Sequence, residues 1–123
     1  MITGLDHIQI SIPSGRVPDA LNFYVNLLGF QRVPKPATLS QTGAWLVSSN
    51  EASGVNLHLG ETDPFSTDGN AHPAFKTSDA EALIKRLEAA NCRIRRDSGP
   101  DGFIRASTWD PFGNRIEFMQ RIS

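Results

Sequence analysis

The chain is 123 residues long, 39% hydrophobic and 20% charged, with 12 Lys+Arg against 13 Asp+Glu for a formal net charge of -1. That size suits one domain, the apolar content excludes a disordered chain, and without a basic surplus nucleic acid is not an expected partner. One cysteine, Cys92, excludes a disulfide framework and a thiolate zinc site, and no apolar run or leader-like start predicts a membrane or export role, so the expected compartment is cytoplasmic.

Residues 5–12 alternate, with Ile8, Ile10 and Ile12 on one side and His7, Gln9 and Ser11 on the other, which predicts a half-buried strand. Pro13 and Gly15 end it. A helix is predicted over 17–28, with Pro18 in its first turn, a stripe of Val17, Leu21, Tyr24 and Leu28, and Gly29 as a left-handed stop. Strands are predicted over 30–33, 43–48 and 55–59. The polar stretch 61–70, with Pro64 and Gly69, reads as a connection. The order then repeats. A short strand over 71–76 precedes a helix opened by a Ser78–Glu81 capping box, with Leu83, Ile84 and Leu87 as its stripe and Asn91 standing where Gly29 stood. Strands over 92–96, 103–109 and 115–121 follow, the last two joined by a turn at 110–114. The expected fold is α+β, one domain of two tandem βαβββ modules, about 1–62 and 70–123. Each module alone is too small to close a core.

The three histidines, His7, His58 and His72, and the carboxylate of Glu117 fall at matching places in the two modules. His7 and His72 belong to first strands. His58 and Glu117 belong to last strands, each four residues past a glycine, Gly54 and Gly113. Strand parity points all of them away from the apolar, helix-facing side. Three imidazoles and a carboxylate on one face form a candidate site for a first-row divalent metal. Gln9 shares the face of His7. Arg105, with Phe103 and Ser107 on one parity, is a candidate for holding an anionic substrate group. Arg115 shares the parity of Glu117 and reads as an ion-pair partner for it. Core packing is the expected role for Trp45 and Trp109, and Cys92 has no predicted chemistry.

The segments Asp6-His7-Ile8-Gln9-Ile10, Phe23-Tyr24, Leu28-Gly29-Phe30, Ala71-His72-Pro73-Ala74-Phe75 and Asp110-Pro111-Phe112-Gly113-Asn114-Arg115-Ile116-Glu117-Phe118 resemble the vicinal oxygen chelate superfamily of glyoxalases, bleomycin resistance proteins and ring-cleaving dioxygenases. The resemblance spans essentially the whole chain. It implies a cupped mixed sheet with helices on the outer face, commonly in a homodimer whose cups are built within one subunit or across two. It further implies one divalent ion per cup (Ni, Zn, Co, Mn or Fe) held by His7, His58, His72 and Glu117. In the glyoxalase-type lyases and isomerases of the family, Glu117 would be metal ligand and proton shuttle together. The partner would be a small, metal-chelating oxygenated substrate contacted by Arg105, Gln9 and Phe103. His58 stands where bacterial glyoxalase I usually has an acidic residue, and Gln9 where fosfomycin-modifying relatives generally have threonine. A drug- or aromatic-binding protein of the bleomycin-resistance kind is the alternative, and a small dioxygenase a further one.

Overall fold

Alternation decides the first strand of the computed structural model, which describes residues 1–48, 54–67 and 69–122. Strand β1 (Ile8–Pro13) buries Ile10 and Ile12 and exposes Gln9 and Ser11. Helix α1 (Val17–Leu21) runs on into a π-helical stretch, Asn22–Leu27, and is followed by β2 (Gln31–Val33), β3 (Ala44–Val47) and β4 (Asn56–Thr62). The second half supplies β5 (Ala74–Lys76), α2 (Ala80–Ala89), β6 (Ile94–Asp97), β7 (Phe103–Trp109) and β8 (Arg115–Arg121). This is the α+β pattern of two βαβββ modules, and the chain divides into two compact units, Met1–Ser66 and Thr67–Ser123. Asp68, within the connection predicted over 61–70, lies outside the described residues.

Each unit is built on one mixed four-stranded sheet, in the order β1-β4-β3-β2 and β5-β8-β7-β6 respectively. The first strand lies parallel to the last in both, and the remaining pairs are antiparallel. Ile12, Phe23, Tyr24, Leu46, Leu57 and Leu59 pack the core of the first unit; Ile84, Leu87, Ala106, Ile116 and Phe118 pack that of the second. Helix α2 lies against β6, β7 and β8. Even-numbered residues of β7 and β8 therefore fill the core, and the odd ones stand on the opposite face.

The first helix departs from its predicted stripe. Leu28 N–H reaches back five residues to the Phe23 carbonyl at 3.0 Å, so the turn is one residue wider than an α-helical turn. The buried set becomes Ala20, Phe23 and Tyr24, and Val17, Leu21 and Leu28 are only half-buried. Both helices close through a left-handed residue, Gly29 at φ 88° and Asn91 at φ 62°. At Asn91 the amide of Cys92 reaches Leu87 and that of Asn91 reaches Glu88, both at 2.9 Å. At Gly29 the same closure is one residue wider, with Phe30 bonded to Tyr24 at 3.0 Å and Gly29 to Val25 at 3.1 Å. The capping box is also displaced. Asp79, not Ser78, accepts from Ala82 N–H at 3.0 Å, and Glu81 pairs with Arg96 at 2.7 Å.

Glu61 ties two loops of the first unit together. Its carboxylate accepts from the backbone amides of Gly15 at 2.7 Å and Gly43 at 2.6 Å, which hold its pKa below the usual glutamate value. Gly43 sits at φ 71°, and a side chain there would run into the Leu59 carbonyl oxygen. Among the described residues no helix is long and apolar enough to cross a membrane.

Candidate functional site

In the first unit the register aligns Gln9, His58 and Trp45 across β1, β4 and β3, on the face opposite the core. The His58 ring is stacked between two others, His7 at 4.1 Å between centroids and 16° inclination, and Trp45 at 4.2 Å and 6°. The Nδ1–H of His7 donates to Asp6 Oδ2 at 2.8 Å, which leaves the lone pair on Nε2. The backbone before β1 is fastened by Asn56 Nδ2–H donating to the Asp6 carbonyl at 3.2 Å. Burial, then the positive charge His7 carries whenever it is protonated, pulls His58 below the ordinary histidine value, so it is neutral at pH 7. Gln9 lies over Gly60, whose missing side chain leaves room for its amide. An ion bound by imidazole lies close to the ring plane, and the nearly parallel His7 and His58 rings offer no shared point. As stacked, they cannot serve one ion together.

In the second unit Ala74, Glu117, Ser107 and Arg95 form one row across β5, β8, β7 and β6. Glu117 is only 6% exposed. Arg105 Nη2 stands 3.3 Å from both of its oxygens, and Arg115 Nη2 stands 3.5 Å from Oε1. His72, in the loop just before β5 rather than in the strand predicted over 71–76, places Nε2 at 3.4 Å from Oε1. Its Nδ1–H donates to the Asn70 carbonyl at 2.7 Å. The tautomer is thereby set, and a neutral His72 turns a lone pair toward a carboxylate. Two acceptors facing each other need a proton or a cation between them.

The support beneath Glu117 continues across the sheet. Arg115 Nε–H donates to Ser107 Oγ at 3.0 Å, Ser107 donates to Asp97 Oδ2 at 3.2 Å, and Arg95 Nε–H donates to Asp97 Oδ1 at 2.9 Å. The stem of Arg105 lies against Gly99, where a side chain would strike its Cδ. Burial pushes the Asp97 carboxyl up, but bonds from Arg95 and Ser107 and the charges of Arg95 and Arg115 outweigh it, leaving the group below its ordinary value. A depressed carboxyl contributes stability above its unfolded pKa of 3.8 and loses it as pH falls through the folded value. Asp97→Asn is thus expected to cost roughly 1–2 kcal/mol at pH 7. In urea titrations the gap between variant and wild type should narrow between about pH 5 and 3; a gap independent of pH would assign the loss to packing.

Phe103 is on the same face but not beside Glu117. It pairs with Arg121, whose guanidinium lies 4.7 Å over its ring. Neither tryptophan is in the core. Trp45 stacks on His58, and Trp109 lies under the guanidinium of Arg93 at 3.9 Å. Burial raises the pKa of Cys92, which suits an inert thiol. Sequence reasoning missed Asp97, Ser107 and Gly99 as supports of the Glu117 cluster; shared parity was a usable signal for Ser107, but none existed for the loop glycine.

Among the described residues no group of three or more His, Cys, Asp or Glu side chains is arranged to hold a metal ion. The His72–Glu117 pair nevertheless fits one as two of its ligands. Donors about 2.1 Å from a tetrahedral ion stand roughly 3.4 Å apart, and the pair is separated by 3.4 Å. The arginines, at 3.3–3.5 Å, are longer than good N–H···O bonds to a carboxylate and are loose partners.

The Glyoxalase/Bleomycin resistance protein/Dioxygenase superfamily profile matches residues 4–118. The chain belongs to that superfamily. It is 29% identical over 127 residues to the protein named Glyoxylase I 4 from Arabidopsis thaliana, covering 94% of this chain and 70% of that one. Among solved structures, a Bacillus anthracis protein placed in the glyoxalase family superposes with a TM-score of 0.87 at 32% identity, covering 98% and 97% of the two chains. The fosfomycin resistance protein FosX of Listeria monocytogenes, in an E126Q form complexed with Mn(II) and 1S,2S-dihydroxypropylphosphonic acid, superposes at 0.79 with 16% identity, covering 98% and 94%. That likeness is one of fold. Superfamily membership accounts for the paired βαβββ modules and leaves the reaction open.

Proposed function

We propose that the protein is a metal-dependent enzyme of glyoxalase type, a lyase or isomerase acting on a small molecule whose neighbouring oxygens chelate the metal. The observation that carries this reading is His72 Nε2 turned toward the buried Glu117 carboxylate at 3.4 Å while Nδ1 is engaged by the Asn70 carbonyl. His72 and Glu117 are the proposed ligands of the second unit, and the family resemblance adds His7, whose Nε2 is left free by its bond to Asp6. His58 is assigned to the ligand set only with its ring turned off the stack. A divalent ion bound there supplies Lewis-acid polarisation of the substrate oxygens. Glu117 takes a proton from the hydroxyl-bearing carbon beside the substrate carbonyl and returns it at the former carbonyl carbon, while the hydroxyl proton passes to the former carbonyl oxygen. Arg115, held by Ser107 and Asp97, keeps that carboxylate in position. Arg105 offers a cationic fork to an anionic group of the substrate. A homodimer is part of the same proposal.

Metal analysis of the purified protein tests it. Near-stoichiometric Ni, Zn, Co, Mn or Fe, lost in a folded His72→Ala variant, is the expected result. A wild type that takes up none of these ions on dialysis would overturn it. A second reading, a non-catalytic binder of a planar aromatic ligand, is favoured by the stacked His7–His58–Trp45 rings. It predicts metal-independent binding that Trp45→Ala weakens and Glu117→Gln leaves unchanged.

A further inference from the structure

Beside the Glu117 row, the second unit holds a cavity of about 500 Å³. Lys76, Thr77, Ser78, Phe103, Met119 and Arg121 line it. The register explains why they meet. Lys76 is opposite Met119 across β5 and β8, and Phe103 is opposite Arg121 across β8 and β7. Lys76, Met119 and Arg121 therefore stand on the face of Glu117, displaced along the strands. Gln120 also borders the cavity, with its side-chain Oε1 engaged by Ala80 N–H at 2.9 Å.

The lining has two chemistries. Phe103 and Met119 offer apolar surface, and Lys76 and Arg121 bring positive charge with the hydroxyls of Thr77 and Ser78 nearby. The Phe103 ring supports the Arg121 guanidinium from one side at 4.7 Å. No carboxylate is among the lining residues, so the local charge is positive. We propose that this cavity binds an anionic head group, phosphate or carboxylate, carried on an apolar body, through Lys76 and Arg121 with Phe103 and Met119 beneath the body.

The proposal rests on the glyoxalase-type reading only in taking the cavity and Glu117 to serve one substrate. At about 3.4 Å per residue along β8, Met119 and Arg121 lie roughly 7 and 14 Å from Glu117. The substrate is then a molecule whose anionic end lies about that far from its reacting oxygens.

Metal-free protein titrated with phenyl phosphate or phenylacetate tests the cavity separately from the metal site. The chain has 2 methionines, Met1 and Met119, so a labelled methyl in the cavity is read against one outside it. The Met119 methyl resonance should shift saturably and that of Met1 should not. Lys76→Gln and Arg121→Gln should each weaken binding roughly 3–10-fold, and together at least ~10-fold. Benzyl alcohol, with the same ring and no charge, should bind far more weakly. The tighter of the two anions identifies the head group, and either preference supports the cavity. An unmoved Met119, equal binding of benzyl alcohol, or unchanged affinity in the double variant would overturn it. None of these outcomes affects metal uptake at His72 and Glu117, so either proposal can fail alone.

Discussion

Glu117→Gln is expected to weaken divalent-ion binding by about 100-fold or more and to slow proton transfer by roughly 10²–10⁴-fold. The amide is nearly isosteric, but it is a poor metal ligand and cannot accept a proton at that oxygen near neutral pH. The change also leaves Arg105 and Arg115 facing a neutral group in a site where Glu117 is only 6% exposed. Both guanidiniums are near one-quarter exposed, 23% and 22%, so solvent screens part of the loss. A stability cost of about 1–2 kcal/mol is expected rather than the larger cost of stranding a fully buried charge. Metal titration followed by calorimetry and circular dichroism separates the effects. A variant that binds metal as wild type does would remove Glu117 from the ligand set.

Asp110→Ala should be the most destabilising single change outside the apolar core. Asp110 is 4% exposed and caps the β7–β8 turn, accepting from Phe112 N–H at 2.9 Å, Asn114 N–H at 2.8 Å and Asn114 Nδ2–H at 2.8 Å. Gly113, at φ 96°, completes the reversal. Truncation strands those donors, and charged hydrogen bonds of this kind support an expected loss of about 3–5 kcal/mol. For a chain of this size that is a fall in Tm of roughly 10–20 °C. Asp110→Asn keeps the acceptor for the amides and should cost about 1 kcal/mol. Equal losses in the two variants would show that charge, rather than the acceptor, holds the turn. The turn sets the register that places Glu117 opposite Ser107, so partial loss of order there should reach the site as well.

Alternation made most of this fold legible. In β1, β4 and β8 a period of two separates buried from facing side chains, and the glycine and asparagine stops marked where both helices end. The π-helical turn was not legible, because a single extra residue in a turn does not alter the apolar periodicity of a short helix enough to be seen. Ser78 and Asp79 are both good caps, and only the hydrogen bond to Ala82 distinguishes them. For the site, parity selected His58, Arg105 and Glu117 for one face of their sheets, and Arg115 was readable as a partner of Glu117. Parity says nothing about ring orientation, so the parallel stacking of His7 and His58 was hidden. It also cannot trace a loop, and Gly99 supports Arg105 only because of the path its backbone takes between β6 and β7.

The sequence holds 2 tryptophans, and each unit carries one on the sheet face opposite its core. Trp45 is stacked on an imidazole, and Trp109 is covered by a guanidinium, so the two indoles sit in different electrostatic surroundings. With one indole replaced by phenylalanine, emission from the other becomes a local optical gauge. Occupancy of either half of the molecule can then be followed without attaching any label.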